Sequence, residues 1–125
     1  MRIVPGRGYH PRMDGARILV ACELKSYRES IASAFRVLRP GVEVFEIEEE
    51  DLDREVERLA PDLVVCSRLS QRVEVRVPNW VELYPGRGSR SVVSQRGERS
   101  TFEEIELSDL LSIVDSTGSE PVRPG

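Results

Sequence analysis

Five residues able to do chemistry stand where two short apolar runs end: Cys22 and Glu23 close the run that starts at Arg17, and Cys66, Ser67 and Arg68 close LVV at Leu63–Val65. Two thiols at the ends of neighbouring strands suit a disulfide or a thiol-redox switch. Buried and unpaired, the same two act as small apolar residues. Arg68 is a donor for an anion, Glu23 is a counter-charge, and Ser67 brings a hydroxyl between them. Nucleophilic use of Ser67 lacks a base, because the single imidazole, His10, lies in a leader broken by Pro5, Gly6, Gly8 and Pro11. Two Cys and one His are too few ligands for a zinc site, so neither a metal nor another cofactor is expected.

A second pair carries recognition rather than reaction. Trp80 and Tyr84 fall in the extended stretch Asn79–Tyr84, where alternation sets them opposite Val81 and Leu83. With Val81 and Leu83 inward, Trp80 and Tyr84 become anchors for a partner or a second copy; the competing reading packs them under the C-terminal helix. The tripeptides Gly6-Arg7-Gly8 and Gly86-Arg87-Gly88 neither follow a strand nor open a helix, as phosphate-cradling loops do.

These residues need a frame, and 125 residues with 39% hydrophobic and 32% charged side chains suit one globular domain. A formal net charge of −4 opposes attraction to phosphate backbones, so no nucleic acid is expected as partner. The longest apolar run, Ile18–Cys22, is far short of the roughly 20 residues that span a bilayer. No apolar secretory leader is visible either, and a cytoplasmic location away from membranes follows as an expectation. Residues 1–16 read as a flexible basic arm, 17–117 as the domain and 118–125 as a disordered tail, with Met13 an alternative start to Met1.

Arg17–Cys22 and Leu63–Cys66 are dense in branched apolar residues, as central parallel strands covered on both faces must be. Between them, Ser26 and Glu29 have the spacing of a capping box before a helical stripe of Tyr27, Ile31, Ala34, Phe35 and Leu38 that Pro40 and Gly41 end. Val42–Ile47 reads as an outer strand, and Leu52, Val56 and Leu59 as the buried face of a second helix with an acidic first turn. Right-handed crossovers then order the three strands 2-1-3. Val73, Val75 and Val77 alternate with charges and predict extended chain, continued by Asn79–Tyr84 and a turn at Pro85–Gly88. Ser91–Gln95 and Ser100–Ile105 flank a Gly97 connection as a β-hairpin, and Leu107, Leu110, Leu111 and Val114 make a last helix. The expected fold is α/β: a flavodoxin- or receiver-like β-α-β-α-β parallel core extended by an antiparallel hairpin or meander and a C-terminal helix.

Over residues 17–70 the chain resembles a response-regulator receiver, through Arg17–Cys22 (RILVAC), Arg28-Glu29, Arg39–Val44 (RPGVEV) and Pro61–Val65 (PDLVV). The resemblance implies an acidic pair after the first strand to hold Mg²⁺ and an aspartate after the third to accept a phosphoryl group. Those places hold Cys22 and Glu23, and Ser67. Serine forms no acyl phosphate, and a thiol is a poor ligand for a hard cation. The expectation is therefore a degenerate pseudo-receiver: a non-catalytic interaction module of signalling or regulation, not an enzyme, with a protein partner or a homodimer formed through the hairpin half. The alternative is a small-ligand or thiol-redox sensor built on Cys22, Glu23, Cys66, Ser67 and Arg68.

Overall fold

The computed structural model describes residues 15–83 and 90–118. In chain order the elements are β1 (Arg17–Ala21), α1 (Lys25–Leu38), β2 (Glu43–Glu46), a 3-10 turn (Glu49–Asp51) running into α2 (Leu52–Leu59), β3 (Leu63–Cys66), α3 (Gln71–Arg76), β4 (Asn79–Glu82), β5 (Ser91–Gln95), β6 (Glu98–Phe102) and α4 (Leu107–Gly118). The strands form one six-stranded mixed sheet ordered β2-β1-β3-β4-β5-β6. β1 pairs in parallel with β2 and β3, and β3 with β4; β5 and β6 follow antiparallel. An α/β architecture with the parallel order 2-1-3 and an added antiparallel hairpin is therefore present.

Each face of the sheet is covered by helices, which is why β1 and β3 are apolar without alternation. On one face, Ile18, Val20 and Val65 pack under Ile31 and Phe35 of α1 and under Leu110, Ile113 and Val114 of α4. On the other, Leu19, Ala21 and Val64 pack under Leu52 and Val56 of α2 and under Val73 of α3. Asp62 ties the opposite end of the sheet together: its carboxylate accepts the Arg17 N–H at 2.9 Å, and its carbonyl accepts Asn79 Nδ2 at 3.0 Å.

The extended reading of Val73–Val77 is corrected, for Gln71–Arg76 is a helix. Ser70 caps it by accepting the Val73 N–H at 3.1 Å. Val73 and Val77, four apart, turn to the core while Val75 stays 71% exposed. A three-valine alternation fits either period, and the cap decides it for the helix. The consequence is a third βαβ unit, with β4 parallel to β3 rather than part of a meander joined to it directly.

Other boundaries also move. The N-cap of α1 is Leu24, with no side-chain cap, so the capping box at Ser26 is not formed. The buried stripe of that helix is Arg28, Ile31, Ala32 and Phe35, leaving Tyr27 and Leu38 exposed. β6 begins at Glu98 because Arg96 (φ 53°) and Gly97 (φ 89°) alone form the turn, the left-handed pair that two-residue hairpins need. At the start of α4 the Asp109 carboxylate reaches back to accept the Glu106 N–H at 2.9 Å. Ala16, read from sequence as the end of the arm, is buried, and its carbonyl accepts the Glu43 N–H at 2.8 Å; the rest of the expected arm and tail, and the choice between Met1 and Met13, lie almost wholly outside the described residues.

Candidate functional site

β1 and β3 are neighbours, and the chain leaves them in opposite directions, toward β2 on one side and β4 on the other. Ligands of open α/β sheets bind beyond the strand ends at such a reversal. Three connections and a strand end converge there: Cys22–Leu24 after β1, Ile47–Glu48 and the 3-10 turn after β2, Ser67–Ser70 after β3, and the end of β4 at Glu82.

The structure brings Glu23 and Ser67 together through the backbone: the Glu23 N–H donates to Ser67 Oγ at 2.9 Å. The Ser67 hydroxyl thus latches the loop after β1 to the loop after β3. Arg28, with a side chain only 7% exposed, donates from Nη1 to the Cys22 carbonyl at 3.0 Å and sets Nη2 3.5 Å from Glu48. Glu82 accepts the Leu69 N–H at 2.9 Å, and Ser70 donates to Asp53 at 2.6 Å. Most polar groups of the lip are spent on one another. Among the described residues, the buried Glu49 Oε2 has no hydrogen-bond partner.

Cys22 and Cys66 do not face each other. Cys22 packs with the α1/α4 core and Cys66 with the α2/α3 core, because the register sets Cys66 beside Ala21, one residue short of Cys22. A disulfide needs Cβ atoms turned toward each other, so the paired-thiol reading is corrected to two buried free cysteines. Burial pushes the Cys22 thiol up to about 11, against the lowering pull of the Ser67 hydrogen bond and of Arg28. Burial, with Glu82 second, raises Cys66 further. Both remain protonated near neutrality and are poor nucleophiles.

Beside the lip lies a depression of about 270 Å³ lined by Glu49, Glu50, Leu52, Asp53, Arg68, Leu69 and Ser70. Of the five lip residues expected from sequence, only Arg68 reaches it. No group of three or more potential metal ligands occurs among the described residues. Arg28, Glu49 and Glu82 were missed as lip residues; Arg28 had a signal, a charge at the head of the apolar 28, 31, 32, 35 stripe.

Trp80 is not an exposed anchor. It is 2% exposed in the α2/α3 core, since the third βαβ unit places α3 over β4. The packing under α4 does not hold for it either, because α4 covers the other face. The Arg99 guanidinium lies 5.2 Å from the Trp80 ring centroid and pairs with Glu74 of α3. Tyr84 lies outside the described residues.

Exposed large apolar side chains concentrate elsewhere. Leu24 (58% exposed), Tyr27, Val37 (72%) and Leu38 belong to α1 or its cap and Leu107 opens α4, while among the described residues Val75 alone lies on the far face. β6, reversed twice from β4, ends beside the lip, so α1 and α4 both start there and run the same way. Their far ends are clamped by Arg39, whose Nε and Nη2 reach the Asp115 carboxylate at 2.6 and 2.9 Å. No described helix is long and apolar enough to cross a membrane. Compared with protein-family models, curated proteins and solved structures, the chain matches none.

Proposed function

We propose that the chain is a non-catalytic interaction domain of signalling or regulation, a receiver-like, flavodoxin-type parallel core whose phosphoryl-acceptor position serves as a structural latch. The observation that carries this is the concentration of exposed apolar side chains on α1 and the start of α4. Large apolar side chains left exposed on the α1/α4 side of the sheet are candidate contact positions. The lip supports the same reading, because Ser67 is engaged by the Glu23 N–H and both thiols are buried. With Trp80 buried, the partner surface is drawn on Leu24, Val37 and Leu107 instead.

Affinity capture from native extract tests it, with Leu24→Asp/Val37→Asp as one comparison and Glu23→Gln/Arg68→Ala as another. The expected result is a protein retained by the wild type and the lip variant and lost by the helix variant. Retention by both variants, or a phosphoryl adduct formed with Mg²⁺ and acetyl phosphate, overturns the proposal.

A small-ligand reading has one observation of its own: the depression that joins Arg68 to Glu49, whose Oε2 has no partner. Native mass spectrometry of gently purified protein tests it; added mass released on denaturation and lost in Arg68→Ala favours the ligand.

A further inference from the structure

The two edges of the sheet are treated differently. At β2, Glu43 and Ile47 donate inward to Ala16 and Val20, so Val44 and Glu46 turn their backbone groups outward. Arg36 covers that side: Nη2 donates to the Val44 carbonyl and Nη1 to the Glu46 carboxylate, each at 2.9 Å. A guanidinium laid along an edge blocks a further strand.

At β6 no such guard stands among the described residues. The two-residue turn makes Gln95 and Glu98 a hydrogen-bonded pair, and the Arg96 N–H turned to Pro78 on the β4 side fixes the alternation. Ser100 and Phe102 therefore bond to β5, and Arg99 and Thr101 point N–H and C=O outward. Arg99, the charge best placed to defend this edge, is folded back over Trp80 and paired with Glu74.

We propose that β6 pairs antiparallel with β6 of a second copy, about a two-fold axis at Ser100, making one continuous sheet across the dimer. Arg99 of each copy then faces Thr101 of the other, and the two pairs exchange four backbone hydrogen bonds. Ser100 meets Ser100, and Glu98 meets Phe102, so no like charges oppose. Centring on Arg99 sets two guanidinium groups head to head, and centring on Thr101 requires Glu103, beyond the strand. The contact is isologous and closes on itself. Five residues bury less than the roughly 1,200 Å² of a stable interface, so the dimer is weak and concentration-dependent. The proposal shares with the interaction reading only the idea of a protein partner, and it uses a different surface.

Sedimentation velocity from micromolar to millimolar protein tests it. The wild type is expected to shift from monomer to dimer. Ser100→Lys and Ser100→Glu, changes at an exposed position, each lose the dimer, and their equimolar mixture restores it. Thr101→Pro, which removes an outward N–H that β5 does not use, also stays monomeric while keeping the wild-type circular dichroism. A monomeric wild type throughout, or a dimer that survives Ser100→Lys, overturns the proposal. A wild-type monomer that still captures a partner through α1 leaves the interaction reading intact, and a dimer lost only in Val37→Asp assigns self-association to the α1 face instead.

Discussion

β1 and β6 are both five-residue strands of one sheet, yet they live in different solvents. In β1 everything after Arg17 is fully buried, whereas in β6 only Phe102 is even partly covered. Burial on two faces demands branched apolar residues at every position; an edge needs only a backbone that can pair and a turn that sets its register. The inner strand is held by its side chains, and the outer one by its neighbour and by the Arg99 contact. The sheet thus grades from core to surface along β1, β3, β4, β5 and β6.

That contrast sets the scale of what substitutions do. The largest effect is expected in the inner strand: Leu19→Ala, at a site with no exposure, should lower stability by about 2–5 kcal/mol in urea unfolding. Thr101→Ala on β6 should stay within about 0.5 kcal/mol; similar losses at the two positions would erase the distinction. Next is Arg28→Ala, which strips the Cys22 carbonyl of its buried donor and the loop after β2 of its tether through Glu48. A loss of about 1.5–3 kcal/mol is expected for a charged hydrogen bond.

Alkaline pH probes the same buried end. Cys22 ordinarily ionises near 9.0, and burial raises it to about 11. Between those values the unfolded chain has lost a proton that the folded chain keeps. Stability is therefore fully present below pH 9 and falls as pH rises toward 11, by an amount on the order of 3 kcal/mol at most. Cys66, raised further by burial, adds to the same fall, so Cys22→Ala should lessen it without abolishing it in a series of thermal melts; an unchanged slope would place the Cys22 thiol in a wetter setting. A smaller effect is expected of Arg99→Ala, about 0.5–1 kcal/mol for a cation over an aromatic face, with hydrogen exchange accelerated in β5 and β6 before β1.

The same gradient explains what was legible. β1, β3 and both helices flanking them follow from composition and period, because full burial leaves little choice of residue. α3 did not: Val73, Val75 and Val77 satisfy two periods, and Ser70, the residue that selects one, looks like any loop serine until its hydroxyl is seen accepting the Val73 N–H. The same misreading hid the cover over Trp80, since α3 is what buries it. The thiols were read one strand step out of register, and a single step is what turns a side chain to the other face. The apolar flank of α1 was visible as a stripe, but only the packing tells which part of a stripe the sheet leaves bare.

The chain holds a single tryptophan, and it sits beneath Arg99 at the seam between the graded interior and the hairpin. That makes Trp80 a built-in gauge of local fraying. If the hairpin lifts while the parallel strands stay closed, the indole meets water and its emission moves to the red ahead of any loss of helical signal. A change that spreads through the whole molecule moves both signals together. The protein carries its own means of telling a loosened edge from a melted core, with no label attached.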